Sequence, residues 1–225
     1  MAHPRYQLDR QLLLLSVRFF CFLDAKLLAP RTKLFSIFFL GRAIMAVILM
    51  CLFSFYPLLA RQTVIDTHGS PEEVLAQGRG KVLVFIFVRT DCSISNRYAP
   101  LLQQMNKKYR QQASFRLVFP DRNESTDKIR RYLQDYNYQL TAIRDLDHAL
   151  VKKTMAKTTP EAAVFDAKGD LVYHGRIDNL YEHIGQSRRA ATTHELADAI
   201  EAASKGLHPP VSTTEAVGCF ISDLE

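Results

Sequence analysis

The 225-residue chain has no tryptophan, four cysteines, nine glycines and nine prolines. Four cysteines are too few for a dense disulfide scaffold, and glycine and proline at this level, without a period, exclude a collagen-like repeat. No internal repeat or low-complexity tract is present. With 48% hydrophobic residues the chain has enough apolar surface to bury a core, which excludes a disordered polymer. Its length suits one ordinary globular domain plus an additional segment. There is no Cys-x-x-Cys, and His148, His174, His183 and His194 lack any metal-ligand spacing such as His-x-x-x-His. No metal or other cofactor is therefore expected.

The net charge of +6 suggests a polyanion partner until it is divided along the chain. Arg5, Arg10, Arg18, Lys26, Arg31, Lys33 and Arg42 face only Asp9 and Asp24 within residues 1–60, and the remainder is close to neutral. The basicity belongs to the N-terminal leader, so no nucleic-acid partner is expected.

From Ala43 to Ala60 no residue is charged. As a helix at about 1.5 Å per residue this run is roughly 27 Å long, near the hydrocarbon thickness of a bilayer. Positively charged flanks stay cytoplasmic, so the chain beyond Ala60 is expected on the exported, periplasmic side. The run reads as a retained signal-anchor, a transmembrane helix tethering the protein, or as a cleaved signal peptide ending at Leu58-Leu59-Ala60. A second apolar stretch, Leu12 to Leu23, is broken by Arg18. Cys21 and Cys51 lie in these stretches and act as small hydrophobes. The expected organisation is a leader over 1–60, a linker over 61–69, a folded domain over 70–206 and a tail over 207–225.

Ser70-Pro71-Glu72-Glu73 has the signature of a helix start. Lys81 to Val88 is a continuous apolar run, as expected of a central strand covered on both faces. Helical spacing continues over 94–112, with Tyr98, Leu101, Leu102, Met105 and Tyr109 on one side. A strand is predicted over 114–120, a helix capped by Ser125, a short strand over 140–143, and a helix capped by Asp145 or Asp147 running to Met155. Glu161–Phe165 and Leu171–His174 form a hairpin about a turn with Gly169. Thr192-Thr193-His194-Glu195 reads as a capping box opening a helix that ends near Gly206. This order predicts an α/β fold with a mixed central sheet and helices on both faces.

Cys92 comes directly after the central strand and stands where the next helix begins. There it meets unpaired backbone N–H groups and the positive end of the helix dipole, both of which favour the nucleophilic thiolate. Arg89 and Arg97 add positive charge nearby, and Asp91 opposes them. The competing reading is a buried structural cysteine.

The stretch Thr90-Asp91-Cys92-Ser93-Ile94-Ser95-Asn96-Arg97-Tyr98-Ala99-Pro100 resembles the active-site segment of exported thioredoxin-like redoxins related to the alkyl hydroperoxide reductase/thiol-specific antioxidant group. Thr158-Thr159-Pro160-Glu161-Ala162 resembles that family's Thr-Pro loop. Tyr173-His174-Gly175-Arg176-Ile177-Asp178 and Ala216-Val217-Gly218-Cys219 resemble its later motifs. The resemblance covers about 70–222 and implies a thioredoxin-like fold, here with an extra helix–strand insertion over roughly 121–144. It departs from the family at Ser93 and Phe220, where proline is common. Ser95 stands where a second motif cysteine would complete Cys-x-x-Cys. Phe85 and Arg89 replace the proline and threonine of the peroxidase pattern, which speaks against ordinary peroxiredoxin activity.

The resemblance implies a thiol-dependent oxidoreductase acting on protein thiols and disulfides or on a peroxide. Cys92 would be its nucleophile and Cys219, on a flexible tail able to swing in, its resolving thiol. A permanent Cys92–Cys219 bridge, worth roughly 5 kcal/mol in the chain-entropy account, is the structural alternative, and intermolecular pairing is a third. Pro160 would be cis and pack beside the sulfur, with the Thr159 backbone offered to a bound peptide. Asn96, four residues after Cys92, would face the sulfur, and Tyr98 would contribute to substrate binding. The alternative from another class is a non-enzymatic module holding copper or a partner protein through Cys92 and His174. Its usual second cysteine is Asn96 here.

Overall fold

Strand β2 (Val82–Phe87) is buried at every position and divides the core in two. The structure, a computed structural model, describes residues 64–67, 71–76, 78 and 80–222. The leader, with Cys21, Cys51 and the apolar run 43–60, lies outside them. Among the described residues no helix is long and apolar enough to cross a membrane.

Val82, Val84 and Ile86 point to one face, where they meet helices α2 (Ser93–Tyr109), α3 (Thr126–Asp135) and α5 (Glu195–Ser204) through Leu102, Ile129, Leu133, Leu196 and Ile200. Leu83, Phe85 and Phe87 point to the other, against Val74 of α1 (Pro71–Ala76) and Leu150 and Val151 of α4 (Ala149–Thr154). A strand apolar on both faces needs both layers, which is why the run around β2 does not alternate.

Six strands form the main sheet: β1 (Val64–Thr67), β4 (Thr141–Asp145), β3 (Ala113–Phe119), β2, β6 (Glu161–Phe165) and β7 (Leu171–Gly175), in that spatial order. The first four run parallel, and β6 and β7 are antiparallel additions at the other side of β2. This is a thioredoxin-like mixed sheet with helices on both faces. The insertion read over 121–144 supplies α3 and β4, and β4 in turn pairs with β1.

Several details differ from the sequence expectations. Val64–Thr67 falls in the segment read as a linker, yet it is the edge strand of the sheet. A four-residue strand defined by distant pairing leaves almost no periodic trace. The capping box at 192–195 does not form. Asn179 draws off Thr192 and Thr193, accepting their N–H groups at 2.7 and 3.1 Å, while Glu195 turns to Arg176 and to the Thr193 hydroxyl. Asp145 does serve α4, but from outside its first turn, accepting the Val151 N–H at 2.9 Å.

The tail is a structured strap. The Thr214 hydroxyl accepts the Arg176 N–H at 3.0 Å and lies 2.7 Å from the Tyr173 hydroxyl, and His174 exchanges backbone hydrogen bonds with Ser212 and Thr214. Gly175 (φ +142) permits this approach: a Cβ there would sit 2.8 Å from the Thr214 nitrogen. Beyond the main sheet β8 (Tyr181–His183) pairs antiparallel with β9 (Gln186–Ser187), and further along the chain β10 (Cys219–Phe220) pairs antiparallel with β5 (Thr158–Thr159). Ile221 then donates to the Lys157 carbonyl at 2.9 Å and buries its side chain among Leu83, Phe85 and their neighbours. The expectation of a flexible tail is corrected, because the strap is held by backbone pairing and by a buried side chain.

Candidate active site

The loop after β2 turns sharply, with the Cys92 N–H donating to the Arg89 carbonyl at 3.3 Å, and delivers Cys92 to the N-cap of α2 in extended conformation (φ −84°, ψ 111°). A buried carboxylate braces this loop. Glu124 Oε1 accepts the Thr90 N–H at 2.8 Å and its hydroxyl at 2.5 Å, with Lys128 at 3.6 Å. Burial pushes the Glu124 carboxyl above its usual range, against these hydrogen bonds.

Cys92 is 1% exposed. Its Sγ lies 3.1 Å from the carbonyl oxygen of Thr159, and the Thr159–Pro160 peptide bond is cis. The Cys219 thiol donates to Cys92 Sγ at 2.8 Å. Both cysteines are free thiols. Cys219 stands opposite Thr159 in the β10–β5 register, and the Thr159 hydroxyl donates to the Cys219 carbonyl at 3.3 Å. The two sulfurs, distant in sequence, are thus brought together by one short strand pair.

Burial pushes the Cys92 thiol up, but hydrogen bonds from the Cys219 thiol and from the Ser95 N–H and hydroxyl outweigh it and leave the group below its ordinary value. Cys219 moves the opposite way. Burial, its hydrogen bond to Cys92 and the charge of Cys92 push it up to about 11, with Arg89 opposing. The two shifts favour the thiolate at Cys92 and the protonated thiol at Cys219, a division of labour suited to attack on a disulfide.

This division has a pH signature. A thiol raised in the folded state adds stability that is complete below the unfolded value of 9.0 and is lost as pH rises through about 11. The reduced wild-type chain should accordingly lose stability relative to Cys219→Ser between about pH 9 and 11. Urea midpoints measured across that range check this, and parallel curves for the two proteins would contradict it.

Other residues singled out in the sequence take different places. Ser95 is buried with no nitrogen or oxygen partner for its hydroxyl, which turns to the Cys92 sulfur. Asn96 does not reach the sulfur: its side-chain amide donates to the Thr90 carbonyl at 3.4 Å and steadies the loop. At a helix N-terminus the N-cap group meets the third helical residue, here Ser95, and the four-residue spacing holds only further along. That rule, applied to Cys92, identifies Ser95 from sequence. Tyr98 is buried, with its hydroxyl donating to Asp178 at 2.5 Å and its ring against Tyr181, so it fixes α2 and presents no free group to a substrate.

Arg89 lies 3.0 Å from Asp91 and 3.5 Å from Asp121, and Arg97 is exposed. The His174 nitrogens face Glu161 at 3.7 Å and the Thr213 hydroxyl at 3.1 Å. Among the described residues no group of three His, Cys, Asp or Glu side chains is arranged to hold a metal ion. Glu124 had no sequence signal that set it apart.

Comparison with known proteins agrees with the fold. Residues 80–171 match a family model described as thioredoxin-like. No curated protein matches the chain. Among solved structures, a hypothetical protein from Sinorhizobium meliloti is 20% identical, with a TM-score of 0.54 over 62% of this chain and 78% of that one. An uncharacterized conserved protein from Geobacillus kaustophilus is 18% identical, with a TM-score of 0.54 over 63% and 76%. These overlays speak to the fold, and the family match to its central strands and the Cys92 and Thr159–Pro160 segments. Residues 80–171 are thus similar to the thioredoxin-like family, and the fold built around them is thioredoxin-like.

Proposed function

We propose that the protein is an exported thiol–disulfide oxidoreductase, tethered to the membrane by the apolar run 43–60, that acts on protein disulfides. Cys92 is the nucleophile and Cys219 the resolving thiol. The observation that carries this reading is the Cys219 thiol 2.8 Å from a Cys92 sulfur at a helix N-terminus beside the cis Thr159–Pro160 bond. The pairing across two segments does the work that a second motif cysteine would do, with Ser95 left as a hydrogen-bond donor. Arg89 at the position of the peroxidase threonine is engaged by Asp91 and Asp121, which favours a disulfide over a peroxide as oxidant.

The test mixes reduced full-length protein with oxidised insulin, quenches with acid, and tracks both partners by mass spectrometry. The expected result is a Cys92–Cys219 bridge, a loss of two hydrogens, appearing in step with insulin thiols. Insulin thiols without that bridge, or no reaction, would overturn the proposal. Faster bridge formation with hydrogen peroxide than with insulin would replace it with a peroxidase reading.

A further inference from the structure

Strand β5 offers one edge to a passing chain, and that edge is full. Cys219 and Phe220 pair with Thr159 and Thr158, and Ile221 continues the pairing at Lys157. Pro160 has no N–H to extend the ladder. A client that lays its disulfide on Cys92 needs this same edge, so client and strap exclude one another.

The strap also shows what fits. Gly218 sits so close to β5 that a Cβ on it would fall on the Thr159 carbonyl, 2.6 Å from its carbon and 3.1 Å from the Pro160 nitrogen. The position after the cysteine is open: Phe220 is 74% exposed beside a groove of about 990 Å³ bordered by Met155 and Ile184. The next position is apolar and buried, as Ile221 is.

We propose that the client's cysteine-bearing segment binds β5 in place of Gly218–Ile221 and is selected as an extended Gly-Cys-x-apolar segment. The proposal rests on the oxidoreductase reading and deepens it by naming the substrate class. The strap lifts beyond Thr214 and the client strand takes its place. The Cys92 thiolate attacks the client disulfide; a Cys92–client bond forms, the client bond breaks, and the departing client sulfur carries off the electron pair and takes a proton from water. The strap returns, and Cys219, having given its proton to water, attacks Cys92. The Cys92–Cys219 bond forms as the second client sulfur leaves as thiolate. One client disulfide has been reduced and one protein bridge formed, and an external dithiol reductant restores the two thiols.

The test uses full-length Cys219→Ser, which keeps the strap but cannot release an adduct. It is offered synthetic peptides Ala-Val-Xaa-Cys-Phe-Ile, with Xaa as Gly, Ala or Val and a 2-thiopyridyl group on the cysteine. The Gly peptide should form the Cys92 adduct roughly tenfold faster than the Ala peptide, and the Val peptide should be slower again, as overpacking strain dictates. In the adduct the Ile221 amide should lose its protection from hydrogen exchange. In a second variant, Gly218→Val with Cys219→Ser, the strap is expelled and the Gly peptide should react about tenfold faster still. Equal rates for the three peptides, retained Ile221 protection in the adduct, or no acceleration in the Gly218→Val variant would each overturn the proposal. Failure of Cys92 to react even with 2,2′-dithiodipyridine would instead strike the underlying oxidoreductase reading, and this inference with it.

Discussion

Replacing Cys92 by serine should abolish disulfide exchange, with a loss of at least about a thousandfold in single-turnover reduction of a client. The reason lies in the atom replaced. The Cys219 thiol and the Ser95 N–H and hydroxyl outweigh the cost of burial and favour the thiolate over the thiol at Cys92. A serine hydroxyl in the same place stays protonated and does not attack sulfur. The substitution is nearly isosteric, and the fold has no other use for this sulfur than its packing beside β5. Stopped-flow or quenched reduction of a disulfide peptide by the full chain gives the comparison. A variant keeping a tenth or more of the wild-type rate would contradict the assignment of the nucleophile.

Substitution of Cys219 should split two roles that the wild-type residue combines. Cys219→Ser and Cys219→Ala both remove the resolving sulfur, so each should leave the Cys92–client disulfide intact and depress multiple turnover by about a hundredfold or more. They part company in acid–base behaviour. Serine keeps a hydroxyl able to donate to Cys92, whereas alanine leaves burial, the largest influence on this thiol, opposed only by the remaining donors. The midpoint of the Cys92 alkylation profile should therefore rise in the alanine variant above that of the serine variant. A long-lived adduct trapped from both, with the midpoint moved in one, is the expected pattern. Equal midpoints would assign the thiolate wholly to Ser95 and the helix terminus, and wild-type turnover in either variant would remove Cys219 from the reaction.

Much of the scaffold is legible in the sequence because its signals are local. The uninterrupted run 81–88 reads as a strand covered on both faces, and the spacing from Tyr98 to Tyr109 reads as a helix. Cys92 between them is placed by adjacency alone. Thr159–Pro160 is legible through resemblance. The features that escape reading depend on contacts between distant residues. Strands β1 and β10 are too short to carry a period, and they exist because β4 and β5 offer them partners. Asn96 misleads because helix-face spacing does not apply at an N-cap. Thr192–Glu195 misleads because Asn179 and Arg176 compete for the groups a capping box would use. Glu124 braces the cysteine loop from the segment that follows β3, a relation with no imprint on spacing.

The knot at Thr214, where Tyr173 and the Arg176 N–H grip one hydroxyl, sets the length of the leash on which Cys219 travels. Five residues at about 3.3 Å each allow a reach of roughly 17 Å. A sulfur confined to so small a volume meets its target at an effective concentration in the millimolar range or above. On the proposed function, dissolved monothiols scarcer than that lose the race to free a captured client, and the protein keeps the release step for itself.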